Sequence, residues 1–165
     1  MSKISPLAFI DPEAKIGENC EIGPFCFIDK NVEIGDNNVL MNSVSVLYGA
    51  RIGNGNVIFP GAVISAVPQD LKFRGEETTA EVGDNNKIRE NVTINRGTAA
   101  KGKTCVGSGN LLMESVHVAH DAFVGNDCII GNGTKLAGEI IIDDHAIISA
   151  NVLMHQSAVW VDIRW

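Results

Sequence analysis

The sequence predicts an all-β fold in which one chain winds into a parallel β-helix, because apolar residues recur at every sixth position. Steps of six from Ile4 to Trp160 fall on Ile, Leu, Val, Met or Trp, with the exceptions Asp70, Glu76 and Ala100. The residue after this apolar position is often glycine, and the fourth residue after it is often small. An amphipathic helix would repeat about every 3.6 residues and a lone strand about every two, so neither explains the pattern.

The repeat is interrupted twice, and both interruptions keep its phase. Residues 66–81 and 99–105 break the apolar pattern, while Val82 and Val106 resume it in step. Because the phase is kept, we expect one domain over residues 1–165, with loop insertions near 66–81 and 99–105. Function tends to reside in loops that leave a rigid scaffold.

Composition argues against several classes of function. The net charge of -7 over 165 residues argues against a nucleic-acid surface, which would be basic. No apolar run approaches the ~20 residues of a membrane span, and the residues after Met1 form no apolar signal segment, so we expect a cytoplasmic protein. The cysteines show no zinc-like pair spacing, which indicates reduced thiols. They are Cys20, Cys26, Cys105 and Cys128.

The stretch 116–121 places two imidazoles and a carboxylate within six residues. If three six-residue repeats make one coil, residues 18 apart stack about 4.8 Å from one another, and His120, Gly138 and Gln156 then form one column about 10 Å long. A glycine above a histidine leaves its backbone N–H accessible to an acyl oxygen, which is the logic of an oxyanion hole. His155 falls in the neighbouring column.

Two further motifs precede this stretch. Gln69-Asp70-Leu71-Lys72-Phe73, followed by Gly75-Glu76, lies in the first interruption, and Arg96-Gly97-Thr98 comes just before the second. Seven of the 13 basic residues fall between positions 72 and 103. Such a zone suits an anionic partner, although acidic residues in the same region could balance it as a solvated face.

These three motifs, in this order, resemble the UDP-N-acetylglucosamine acyltransferase family of the hexapeptide-repeat acyltransferases, and the match is close over residues 58–156. The resemblance implies a single-stranded left-handed parallel β-helix with about 18 residues per coil. It implies that His120 is the general base, that Asp121 orients its imidazole, and that the Gly138 N–H holds an oxyanion. The substrate-binding residues that it implies are Asp70, Lys72, His117, His155 and Gln156.

The same resemblance implies the reaction and the partners. An (R)-3-hydroxyacyl group would move from acyl carrier protein to the 3-hydroxyl of UDP-N-acetylglucosamine, the first step of lipid A biosynthesis. We expect no metal and no organic cofactor, because a thioester is already activated. The family forms homotrimers with sites between subunits, and we expect the same here, with no nucleic acid and no membrane span.

The sequence also departs from the family pattern. Asn95 and Glu139 stand where the family often has histidine. The family continues beyond the segment that matches Gln156 with further coils and a helical C-terminal domain, and we expect the chain that ends at Trp165 to lack that domain. We expect the open end to associate end to end, or to be covered by trimerisation and by the tail Trp160–Trp165.

The same residues are compatible with other functions. The chain could be another hexapeptide sugar-nucleotide acyltransferase, or an inactive, truncated β-helix scaffold. His117 and His120 could also form a metal site with a third ligand from a neighbouring subunit, as in the carbonic anhydrases built on this coil.

Overall fold

The chain forms a single-stranded left-handed parallel β-helix, which confirms the predicted fold class. The computed structural model describes residues 1–160, so most of the predicted tail Trp160–Trp165 lies outside the described residues. Three strands make one coil, and within residues 1–160 eight coils stack into three parallel sheets of eight strands each. Within the described part of the chain, no helix has the length and apolarity that crossing a bilayer requires.

Each sheet takes one strand from every coil. Sheet A contains β1 (Lys3–Ile4), β4 (Glu21–Ile22), β7 (Val39–Leu40), β10 (Val57–Ile58), β13 (Lys87–Ile88), β16 (Leu111–Leu112), β19 (Ile129–Ile130) and β22 (Ile147–Ile148). Sheet B contains β2 (Phe9–Ile10), β5 (Phe27–Ile28), β8 (Ser45–Val46), β11 (Val63–Ala66), β14 (Thr93–Asn95), β17 (His117–Val118), β20 (Lys135–Leu136) and β23 (Leu153–Met154). Sheet C contains β3 (Lys15–Ile16), β6 (Glu33–Ile34), β9 (Ala50–Ile52), β12 (Thr79–Val82), β15 (Lys103–Val106), β18 (Phe123–Val124), β21 (Ile141–Ile142) and β24 (Val159–Trp160).

The six-residue repeat supplies the core. Side chains alternate across a strand, so the repeat position of each short strand points into the coil and its neighbour points outward. Ile58, Ile94, Leu112 and Ile130, for example, are fully buried. Ile4 is 46% exposed because it lies in the first coil, which has a neighbour on one side only.

Backbone pairing keeps successive coils in register. Ile4 pairs with Ile22, and the same spacing of 18 residues holds through most of the stack. Across the two interruptions, Ile58 pairs with Ile88 and Ile88 with Leu112, so the repeat positions still face one another. The phase expected from the sequence is therefore preserved.

The corner between sheets C and A contains buried side chains that the expected pattern of small residues does not include. Four asparagines occupy the small-residue position there, all fully or almost fully buried. They are Asn38, Asn56, Asn86 and Asn110. The Nδ2 of Asn56 donates to Asn38 Oδ1 at 3.0 Å, and that of Asn86 donates to Asn56 Oδ1 at the same distance. Stacked amides thus satisfy one another and the backbone inside this corner, which is the condition for burying them.

Both loops leave the coil at the corner between sheets B and C. The first covers residues 67–78 and the second residues 96–102. The sequence places the loops at 66–81 and 99–105, so both end three residues earlier than predicted, and the second also begins earlier, at residue 96. The strands begin earlier because Thr79 pairs with Lys103 and Ala80 with Thr104, which extends sheet C toward the loops.

Burial of the repeat position predicts a sharp contrast between two neighbours on β19. Ile130 is fully buried, whereas Ile129 is 40% exposed. Ile130→Asp places an unpaired carboxylate in the core, which costs several kcal/mol, and we expect insoluble or unfolded protein. Ile129→Asp, the matched control, should keep the circular dichroism spectrum of the wild type. A folded Ile130→Asp protein with a normal spectrum would contradict the register.

Candidate functional site

The candidate site lies at the corner between sheets B and C. Five successive coils contribute to it: the loops 67–78 and 96–102 come from two of them, and the turn residues after β17, β20 and β23 come from the next three. Parallel pairing stacks these turns directly above one another. The Glu139 N–H donates to His120 O at 3.1 Å, and the Ser157 N–H donates to Gly138 O at 3.1 Å.

His120 and Asp121 form a hydrogen-bonded pair in the first of these turns. His120 Nδ1 lies 2.9 Å from Asp121 Oδ2, and the side-chain exposures are 12% and 0%. Because an ionised carboxylate can only accept, the proton of neutral His120 belongs on Nδ1. The lone pair is then on Nε2, and the imidazole can take a proton there.

Asp121 is held from several sides. The Thr98 N–H donates to its Oδ1 at 2.9 Å, the Thr98 hydroxyl donates to its Oδ2 at 2.5 Å, and its own N–H donates to Thr104 Oγ1 at 2.8 Å. Burial is the largest influence on its pKa and raises it, but the hydrogen bonds from Thr98 and His120 together outweigh burial. The pKa of Asp121 therefore lies below its ordinary value, and the group is a carboxylate at neutral pH.

Gly138 lies directly over the imidazole of His120. A Cβ placed on Gly138 would be 2.6 Å from His120 Cε1 and 2.8 Å from Nε2, which is closer than van der Waals contact allows. Only glycine fits above this imidazole without displacing it. Among the described residues, the Gly138 N–H donates to no backbone or side-chain acceptor.

A cavity of about 600 Å³ opens beside this pair. The first loop forms one side of it, and the column of turns forms the other. Its lining comprises Gln69, Asp70, Leu71, Lys72, Phe73, Glu76, Thr98, Ala99, Ala100, His120, Glu139 and Gln156. Asp70 shapes its own loop, because its Oδ1 accepts from the Lys72 N–H at 2.9 Å. Such a local bond orders the polar side chains that face the cavity.

The residues predicted from the sequence divide into two groups. Asp70, Lys72, His120 and Gln156 line the cavity, while Asp121 and Gly138 contact His120. His117 and His155 are absent from that lining within the described part of the chain. Gln156 instead has an unexpected partner, since its Nε2 donates to Glu139 Oε1 at 3.1 Å.

His117 lies on the outer face of sheet B. Its Nδ1 is 2.7 Å from Thr93 Oγ1, and it pairs along the sheet with Lys135. Burial is the main cause that lowers the pKa of His117, and repulsion from Lys135 and from the protonated form of His120 lowers it further. His117 is therefore neutral at pH 7. Within residues 1–160, no three His, Cys, Asp or Glu side chains are grouped as metal ligands.

The basic zone seen in the sequence is also divided. Arg89 pairs with Glu90, and Lys103 pairs with Glu81, each at 3.0 Å. Lys72 lines the cavity, together with three acidic side chains. Acidic neighbours thus balance part of the charge of the basic zone, and Lys72 is the member of the zone that lines the cavity.

Arg96 supports the first loop from behind the cavity. Its guanidinium carbon lies 5.2 Å from the ring centre of Phe73 and 5.5 Å from that of Tyr48. Arg96 is only 9% exposed, so these cation–π contacts lie in a largely dehydrated environment, where they are strongest. Phe73 lines the cavity, and Arg96 thereby helps to fix one wall of it.

The state of Asp121 predicts how stability depends on pH. Its folded pKa is lowered, so its stabilising contribution is fully present above its ordinary pKa of 3.8 and is lost as the pH falls through the lower folded value. We expect Asp121→Asn to reduce the free energy of unfolding by ~2 kcal/mol at pH 7 and by less at pH 3. Urea unfolding at both pH values measures this, and an equal loss at both would contradict it.

Solved structures that share this architecture include three acyltransferases. The UDP-N-acetylglucosamine acyltransferase LpxA from Bacteroides fragilis is 74% identical, with a TM-score of 0.93 over 94% of this chain and 61% of that chain. The Francisella novicida UDP-N-acetylglucosamine acyltransferase is 44% identical, with a TM-score of 0.93 over 94% of this chain and 57% of that one. LpxA from Acinetobacter baumannii is 42% identical, with a TM-score of 0.92 over 94% and 61%.

These solved chains are longer, and the chain described above spans about 60% of their length. No family model matches it. Identity of 74% over nearly all of its residues nevertheless exceeds by far what a shared fold alone would give. The chain belongs to the UDP-N-acetylglucosamine acyltransferase family.

Proposed function

We propose that this protein transfers an (R)-3-hydroxyacyl group from acyl carrier protein to the 3-hydroxyl of UDP-N-acetylglucosamine, the first step of lipid A biosynthesis. The observation that carries the proposal is the His120–Asp121 pair, which lies under Gly138 at the wall of a cavity. This arrangement combines a base, a group that orients it, and a free N–H donor. Acyl transfer to a hydroxyl needs these three elements.

In the proposed reaction, each step is assigned to one of these groups. Nε2 of His120 removes the proton from the sugar 3-hydroxyl while its oxygen attacks the thioester carbonyl carbon. The carbonyl oxygen becomes an oxyanion, which the Gly138 N–H stabilises. The carbon–sulfur bond then breaks, and His120 returns the proton to the departing thiolate. The products are the 3-O-acylated sugar nucleotide and acyl carrier protein with a free thiol.

Asp121 supports both halves of this cycle. It keeps the proton of neutral His120 on Nδ1, and it stabilises the imidazolium that forms during attack. Its depressed pKa keeps it ionised throughout. No metal or organic cofactor has a role in this proposal, because the thioester is already activated.

The substrate would bind across the cavity. Lys72 supplies a positive charge for an anionic group of the sugar nucleotide, and Asp70 and Gln156 supply an acceptor and an amide. His117 and His155, which the family resemblance implies, would complete the site from outside this cavity. We extend the proposal to a cytoplasmic homotrimer with sites between subunits, the arrangement implied for the family.

His120→Ala should remove the base, and we expect kcat to fall by ~100- to 10,000-fold while the melting temperature stays nearly unchanged. The assay mixes UDP-N-acetylglucosamine with 3-hydroxyacyl carrier proteins of several chain lengths. Other sugar nucleotides are tested in parallel, which identifies a different acceptor if one is preferred. Wild-type protein without transfer to any acceptor would refute the proposed function, and a fully active variant would refute the role of His120.

Gly138→Ala should act through the same imidazole. The added Cβ collides with His120, so we expect a fall in kcat of at least ~100-fold in an intact fold. A double-mutant cycle is the control, because Gly138→Ala should cost almost nothing further once His120 is alanine. Additive losses would mean that Gly138 acts independently of His120.

A further inference from the structure

Thr98 touches the catalytic pair from a separate part of the chain. It lies in the second loop, and its hydroxyl and its N–H bond to the two carboxylate oxygens of Asp121. The oxygen that accepts from the hydroxyl, Oδ2, is also the one that accepts from His120 Nδ1. Thr98 and His120 therefore donate hydrogen bonds to the same oxygen, and each bond weakens that oxygen as an acceptor for the other.

The direction of the Thr98 bond is fixed by its other partner. The Ala100 N–H lies 3.2 Å from Thr98 Oγ1 and donates to it, so the hydroxyl proton is free to point toward Asp121. This forms a chain of hydrogen bonds from the loop backbone through Thr98 to Asp121. Successive hydrogen bonds in such a chain polarise one another when they are buried. Thr98 meets this condition, because it is only 6% exposed.

We propose that Thr98 is a positioning residue that fixes the rotation of the Asp121 carboxylate and moderates the basicity of His120. The proposal rests on the proposed function. Two bonds to two carboxylate oxygens leave that group one orientation. In this orientation Oδ2 faces His120 and holds the imidazole with Nε2 available.

The expected effect on His120 has a definite sign. A hydroxyl that donates to Oδ2 withdraws negative charge from it and weakens its attraction for the imidazolium. Loss of this hydroxyl leaves Oδ2 a stronger acceptor, so the imidazolium becomes more stable and the pKa of His120 rises.

Other charged groups face the pair but do not change with Thr98. The first loop contributes Asp70, Lys72 and Glu76, the next coil contributes Glu139, and His117 lies on the preceding strand. A substitution at Thr98 alters none of them. Their influence is common to both proteins and cancels in the comparison.

The experiment compares Thr98→Val, which removes the hydroxyl at nearly constant volume, with Thr98→Ser, which keeps it. Thr104→Val is the matched control, because Thr104 is a buried threonine that bonds to the backbone N–H of Asp121 rather than to its carboxylate. One readout is the imidazole titration of His120 by NMR. The other is the acid limb of kcat/KM against pH in the transfer assay.

For Thr98→Val we expect the His120 titration and the acid limb to move together to higher pH, by ~0.5 to 1 unit. Thr98→Ser should retain the wild-type values. Thr104→Val should lower the melting temperature without moving either readout. The NMR titration needs no turnover, so a wild-type protein that fails to transfer would refute the proposed function without affecting this measurement.

Three results would overturn the proposal. The first is a Thr98→Val protein whose His120 titration and acid limb equal those of the wild type. The second is a Thr104→Val protein that shows as large a shift. The third is failure of both Thr98→Val and Thr98→Ala to fold where Thr104→Val folds, since Thr98 would then hold the loop rather than the catalytic pair.

Discussion

Parallel pairing between coils is the constraint on which the rest of this structure depends. The strands of each coil donate backbone N–H groups to the next coil, and the turns donate to the coil before, so residues that are far apart in sequence come to lie one above another. At the candidate site, the bond from the Glu139 N–H to His120 O sets the height of Gly138 over the imidazole. The geometry of the site is therefore set by the same bonds that hold the scaffold together, and no separate device is needed to align it.

The turns at the corners adopt a backbone conformation that is unfavourable for most residues. Residues at the turns adopt the left-handed conformation, and in most coils Asn, Asp, Ser or Gly fill these places, which tolerate it best. At the site, Asp121 and Glu139 both adopt this left-handed conformation, with φ of 60°. Strained positions often coincide with functional ones. Here the left-handed turn brings the Asp121 carboxylate back against the imidazole of the residue that precedes it.

The repeat could be predicted from sequence because it depends on a single rule, one apolar residue in every six. The same rule placed His120, Gly138 and Gln156 in one column, since that column follows from spacing alone. It could not place Thr98 against Asp121, because a loop that leaves the coil is not bound by the period. Nor did it reveal the asparagine stack, because an amide becomes acceptable in a buried corner only when its neighbours above and below are amides or backbone carbonyls.

The two loops leave the coil and return to it at the same corner, and the register on either side is preserved. Their length is consequently uncoupled from the winding of the stack. Evolution can lengthen, shorten or exchange them while the column that bears His120 stays in place. In a fold of this kind, the residues that carry the reaction lie on the coils, and the loops beside them can change independently. Related chains can therefore retain one reaction and differ in the substrates that they accept.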